Sequence, residues 1–168
     1  MPREFALDST IVVILAGGHS GEPRARERAA SILLDHEDAG EIVGIPAAAW
    51  AECCHCDLEA PFVIWPLNSK AAVIANRLTP PMIEAGKAQG FTRREVKVDA
   101  LILATAEAVG CTALYTTDGW FGPIARDAGL SLQVRPLPPV RPVQATIPEV
   151  PQIHHEPPKK PRAKKPAP

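Results

Sequence analysis

Residues 96–110, VKVDALILATAEAVG, and the residues that follow them, 111–121, CTALYTTDGWF, decide the fold class of this chain. In the first stretch apolar residues recur with helical spacing from Lys97 to Val109. Gly110 then closes the helix, because glycine accepts the left-handed backbone on which helices commonly end. The second stretch holds a short apolar run, Ala113–Thr117, broken at the turn dipeptide Asp118-Gly119. A helix, a stop, a buried strand and a turn make up one repeat of an open α/β sheet. An acid placed directly after such a strand falls at its carboxyl end, where ligands of these sheets bind.

The same pattern extends in both directions. Phe5–Leu7 reads as a first buried strand ending at Asp8, with Ser9 or Thr10 capping a short helix through Ile11–Leu15 that Gly17 and Gly18 stop. Residues 22–37 read as a helix with Pro23 in its first turn, and Glu41–Ile45 as the second strand. Pro46 opens a helix over Ala47–Leu58 with Glu52 one to two turns inside it, and Phe62–Trp65 is the third strand. Asn68 or Ser69 caps the next helix, which Thr79-Pro80-Pro81 interrupts. Residues 82–95 carry no decisive pattern. Gly122–Ala128 is a short helix and Leu130–Val134 a fifth strand. This alternation predicts an α/β fold of three α/β/α layers around a mainly parallel five-stranded sheet.

Composition changes sharply near Arg135. From there to residue 168, 11 of 34 residues are proline, a composition too poor in apolar surface to offset chain entropy. Residues 1–134 are therefore expected to be the folded domain and residues 135–168 a disordered, Pro-rich basic tail. Net charge follows the same boundary: the tail carries +5 and the body −6. An acidic body excludes nucleic-acid binding by charge alone, although acids gathered around a cation reverse the local sign. The start, MPREFALDS, lacks the apolar core of a secretory leader, and Ile11–Ala16 is too short to cross a bilayer. Cys53, Cys54 and Cys56 are crowded and Cys111 is distant, which is no disulfide framework. The expectation is a cytoplasmic protein without a membrane segment.

Four acids stand out. Asp8 and Asp118 follow strands, whereas Glu52 and Asp99 lie in helices beginning near the same sheet edge. Each has an ordinary explanation alone: a helix cap for Asp8, the first turn of a helix for Asp99, a turn for Asp118 and a solvated face for Glu52. Gathered at one edge they repel one another, and burial raises their pKa values unless a cation compensates. Hard oxygen donors suit Mg²⁺ or Mn²⁺, ions that leave water positions open for a phosphate.

The ordered set FALDST, IPAAAWAE, VKVDALILATAEAVG and ALYTTDGWF resembles the PIN-domain family of the VapC-like ribonuclease toxin type, over residues 4–135. By position, the resemblance implies that Asp8, Glu52, Asp99 and Asp118 coordinate one or two Mg²⁺ or Mn²⁺ ions and position a water for attack on an RNA phosphodiester. It implies a supporting hydroxyl at Thr117 and products with a 5′-phosphate and a 3′-hydroxyl. It also implies a homodimer held in check by a small antitoxin, as in a type II toxin–antitoxin system. The alternatives are a PIN-like scaffold that binds RNA or protein without turnover, and a metal-dependent nuclease acting on DNA.

Three other signals compete. Ala16, Gly18 and Gly21 have the spacing of a degraded dinucleotide-binding loop, but the first glycine is missing and no acid ends the second strand. Cys53-Cys54-His55-Cys56 invites zinc, yet no second pair stands at ligand spacing. Lys97, two residues before Asp99, reads as either a phosphate contact or a solvated lysine.

Overall fold

A computed structural model describes residues 3–18, 21, 23–53 and 62–140 of the chain. Its strands are β1 (Glu4–Leu7), β2 (Ile42–Pro46), β3 (Val63–Trp65), β4 (Ala113–Tyr115) and β5 (Gln133–Arg135). The helices are α1 (Ser9–Leu15), α2 (Ala25–Asp38), α3 (Ala47–Glu52), α4 (Ser69–Lys87), α5 (Arg93–Val109) and α6 (Phe121–Asp127). The strands form one sheet in the order β3-β2-β1-β4-β5, and every pairing in it is parallel.

β1 runs through the middle because Phe5, Ala6 and Leu7 are apolar on both sides and can be buried on both faces. The chain leaves β1 toward β2 and β3 on one side and returns to β4 and β5 on the other. Right-handed crossovers therefore place helices on both faces of the sheet. α2 packs on β2 and α1, whereas α5 packs against β1, β2 and β4, and α6 against β5. The reversal of strand order falls between β1 and β4, so a crevice opens at their carboxyl ends.

α5 is buried on several sides: Val96, Ala100, Ile102, Leu103, Ala104, Thr105 and Ala106 are all inside. Its small residues let α4 come close. Gly86 marks the tightest approach, since a Cβ there would lie 2.7 Å from Val96 Cγ2. Gly110 ends α5 with φ 93°, as its sequence position implies.

Several expected boundaries move. Thr79-Pro80-Pro81 does not interrupt α4, which runs unbroken through both prolines. Each proline removes a bond to the carbonyl four residues back, Asn76 and Arg77. Both carbonyl-bearing residues and both prolines are exposed, so water can satisfy what is lost. The buried stripe Ala71, Ala75, Leu78, Met82 and Gly86 continues past the break and holds the helix together. Asn68, not Ser69, is the cap, its side chain accepting from the Ala71 N–H at 2.8 Å. Pro23 precedes α2 instead of lying in its first turn. α3 ends at Glu52 with Cys53 as its C-cap, short of the expected Leu58; residues 54–61 lie outside the described residues.

α5 begins one turn earlier than expected, at Arg93, so Asp99 stands in its second turn. The cause is a capping box. Glu95 N–H donates to Thr92 Oγ1 at 3.3 Å and Thr92 N–H to Glu95 Oε2 at 2.7 Å. The packed body also passes the expected limit at residue 134. Leu137 is buried, and Arg28 donates to the Leu137 carbonyl at 2.9 Å and the Pro138 carbonyl at 2.6 Å. Residues 141–168, most of the expected tail, lie outside the described residues. Among the described residues no helix is long and apolar enough to cross a membrane.

Thr92→Ala removes half of the capping box and is expected to lower stability by about 1 kcal/mol. Urea unfolding should show a lower midpoint at unchanged m-value. An unchanged midpoint would mean that the box does not hold the start of α5.

Candidate functional site: an acidic cluster at the sheet switch point

The site begins at the carboxyl end of β1. Asp8 occupies the N-cap position of α1 with an extended backbone, φ −76° and ψ 162°, and its carbonyl accepts from the N–H groups of Ile11 and Val12. Its carboxylate does not cap the helix. Instead it accepts three hydroxyls: Thr116 Oγ1 at 2.7 Å and Thr10 Oγ1 at 3.0 Å on Oδ2, and Ser9 Oγ at 3.4 Å on Oδ1. Asp8 is only 1% exposed.

The hydroxyls also tie the two central strands together. Thr116 Oγ1 accepts the Asp118 N–H at 3.0 Å, and Thr10 Oγ1 accepts the Thr117 N–H at 3.2 Å. The Asp8 N–H donates to the Tyr115 carbonyl at 3.0 Å, so the ends of β1 and β4 are locked in register. The hydroxyl on the acidic cluster is therefore that of Thr116. Thr117, the position singled out from sequence, joins the network through its backbone N–H. Thr10 and Thr116 are the residues that sequence reasoning missed, although both stand within two residues of an acid it chose.

All four sequence-chosen acids are brought together. Burial comes first in raising Asp99, whose pKa is pushed to about 8, and the charges of Asp8, Asp118, Glu52 and Glu95 add to it. Asp118 is raised by burial and then by Asp8. Glu52 is raised by burial, which outweighs a hydrogen bond from Ser9, and by the charges of Asp8, Asp118 and Glu95. Asp8 is raised by burial against the opposing pull of its hydroxyl bonds. The charges that raise Glu52, Asp99 and Asp118 are those of other carboxylates. Glu95 is a fifth acid at the rim, one helical turn before Asp99. Its own pKa is lowered, because the Thr92 N–H holds the charged form.

The donor chemistry fits a hard divalent cation: oxygen ligands only, mutually repelling, and among the described residues none of the four is in an ion pair. The spacing is that of neighbours and not of a closed ligand shell. Among the described residues, no three His, Cys, Asp or Glu side chains converge closely enough to hold an ion as they stand. Repulsion among uncompensated carboxylates favours such spreading.

The competing signals take other places. The residues before Gly17 and Gly18 form helix α1 and not a strand, so there is no dinucleotide loop of the strand–glycine–helix kind. Cys53 is a buried core residue whose Sγ donates to the Ala49 carbonyl at 3.1 Å. Cys54, His55 and Cys56 lie outside the described residues.

No protein-family model matches the chain, and no curated protein matches it by sequence. Among solved structures, it is similar to a chain of the crystal structure of VapBC2 from Rickettsia felis bound to a DNA fragment from their promoter. That similarity has a TM-score of 0.50 at 14% identity, covering 79% of this chain and 98% of the other. The fold is thus an α/β fold with an all-parallel five-stranded sheet, similar to that of a chain in this VapBC2 structure.

The raised carboxylates make a pH prediction. Asp99 has a folded pKa of about 8 against an ordinary carboxylate value of 3.8, so the folded state binds more protons between those values. Stability then falls as pH rises through that window. Asp8, Asp118 and Glu52 push in the same direction. In EDTA, thermal unfolding should give a lower Tm at pH 8 than at pH 5, with Asp99→Asn shrinking the difference and Mg²⁺ restoring Tm at pH 8. A Tm that climbs between pH 5 and 8, and climbs equally in Asp99→Asn, would show that these acids are not crowded.

Proposed function

We propose that the chain is a divalent-metal-dependent endoribonuclease that hydrolyses RNA phosphodiester bonds, working as the toxin of a type II toxin–antitoxin pair. The observation that carries this reading is a buried carboxylate, Asp8, whose charge acts on three further acids at the switch point of a parallel sheet. Unpaired buried charge is costly unless it coordinates something. The ordered acidic motifs of the sequence and a VapC-like fold support the same assignment.

Asp8, Asp99 and Asp118 would hold Mg²⁺ or Mn²⁺, with Glu52 beside them. When bound, such an ion acidifies a water and neutralises charge on a phosphodiester. The chain's own contributions follow from its geometry. Thr116, Thr10 and Ser9 fix the Asp8 carboxylate by their hydroxyls, so that it need not reorganise when substrate arrives. Glu52 ends α3, is the exposed member of the set, and has a carboxyl of raised pKa. It can accept and hold a proton from the attacking water. Asp99 and Asp118 are half-buried and supply negative charge from the opposite walls, α5 and the end of β4. An antitoxin that masks the acids, and a homodimer, complete the proposal as partners.

Cleavage of labelled single-stranded RNA and DNA panels in Mg²⁺, Mn²⁺ or EDTA tests it. RNA cutting should need the ion and fall by more than about 100-fold in Asp8→Asn and in Asp99→Asn, beyond the 10–100-fold typical of outer-shell partners. Cutting that survives EDTA and both substitutions would sink the mechanism. Folded wild type that binds RNA but never cuts is the scaffold, and a preference for DNA moves the substrate.

A further inference from the structure

A groove of about 670 Å³ runs between α3 and α5, lined by Ala48, Ala51, Val98 and Leu101 together with Thr92, Arg94 and the acids Glu52 and Glu95. That volume lies in the range of small-ligand sites. Glu52 forms one wall of it, so the groove opens directly from the acidic cluster. Its four aliphatic residues are exposed or only half-buried, leaving an apolar bed in water.

Among the described residues, Arg94 is the one cation that lines it. Two glutamates line the same groove, yet among the described residues Arg94 has no ion-pair or hydrogen-bond partner. An unpaired guanidinium is a planar donor fork suited to a phosphate. A second groove, of about 610 Å³ between α4 and α5, also holds cations, Arg93 and Lys97. It shares no lining residue with the acidic cluster. Lys97 is two residues before Asp99 and so about 200° around the helix from it.

We propose that the α3–α5 groove is the subsite for the nucleotide next to the scissile phosphate of a single-stranded RNA. Arg94 contacts the flanking phosphate, and Ala48, Ala51, Val98 and Leu101 form the bed for the base. This inference rests on the ribonuclease reading above and names how that same site selects its substrate. A single strand is required, because a base held in a duplex cannot leave its stack to enter a groove. The subsite is carried by helix walls and not by a loop, so it exists before substrate arrives.

The test is binding of a fluorescent eight-nucleotide single-stranded RNA to the full chain by anisotropy, with Ca²⁺ replacing Mg²⁺ to suppress turnover. Sedimentation of each variant runs alongside. Arg94→Ala should weaken binding about ten-fold and flatten the slope of log affinity against log salt by about 0.7, the loss of one single-strand phosphate contact. Arg94→Lys should recover the slope. Ala51→Phe should weaken binding by filling the bed while leaving the slope as in wild type. Lys97→Ala, which lines the neighbouring α4–α5 groove and not this one, should stay within about two-fold of wild type if the Arg94 effect is local and not bulk charge. Positions 51 and 94 are exposed, so these variants retain the core. Wild-type affinity in both Arg94→Ala and Ala51→Phe overturns the subsite and leaves the nuclease reading standing. Wild type that binds no RNA overturns both. A dimer that Ala51→Phe dissociates at unchanged RNA affinity assigns the groove to a contact between copies and overturns the proposal.

Discussion

Asp8 holds a carboxylate at the end of the central strand, out of water, and its neighbourhood is arranged around that cost. Removing an ionised carboxylate from water costs several kcal/mol even after relaxation. Three hydroxyls donate to it, each contributing about 1.5–3 kcal/mol where the acceptor is charged, but the bond from Ser9 is long at 3.4 Å and burial still outweighs all three in raising the pKa. The hydroxyls alone do not close the balance. What remains is met by a proton, the form that the raised pKa favours, or by a cation of the kind proposed above. Either way the end of β1 is a place where the chain is incomplete by itself.

A second buried polar group shows what completion looks like in the same fold. His36, at the end of α2, stacks on Phe5 with ring centroids 3.8 Å apart. Its Nδ1 lies 2.7 Å from Glu41 Oε2 and its Nε2 3.1 Å from Tyr115 Oη. Both ring nitrogens have partners, and the group ties α2 to β1 and β4. That network is a satisfied structural joint. Asp8, on the same pair of strands, has hydroxyls and like charges around it instead. The contrast separates the part of the sheet that holds the fold together from the part that is left open for chemistry.

The sheet was legible because each strand is a short apolar run bounded by a turn or a helix start, and five such runs alternating with helices leave little choice of architecture. The acids were legible because two of them end strands. What failed depended on facts absent from local sequence. Proline propensity argued for a break at Pro80-Pro81, but the face that each proline presents is a tertiary matter, and here it is solvent. Thr116 and Thr117 are adjacent just beyond β4, where Thr116 is buried and Thr117 only half-buried. A one-residue ambiguity therefore decided which hydroxyl meets Asp8. Leu137 and Pro138 looked like tail by composition, and only Arg28, more than a hundred residues earlier, shows that they are held. The capping box at Thr92 and Glu95, by contrast, was readable in the sequence. It would have set the start of α5 correctly.

Glu95 and Asp99 show how one helix serves two purposes. They are one turn apart on α5, yet their pKa values move in opposite directions. Glu95 lies in the first turn, where the helix N-terminus favours an acid and the Thr92 N–H satisfies it. Asp99 lies one turn deeper, where that favour has decayed, burial is greater and the charges of Asp8, Asp118, Glu52 and Glu95 raise its pKa further. Had α5 started at Lys97, Asp99 would have stood in the first turn itself, next to the unpaired N–H groups that stabilise an anion. By starting the helix four residues earlier, Thr92 and Glu95 take up the capping role. Among the described residues Asp99 is left as a carboxylate with no ion-pair partner, the state that the proposed cation would complete.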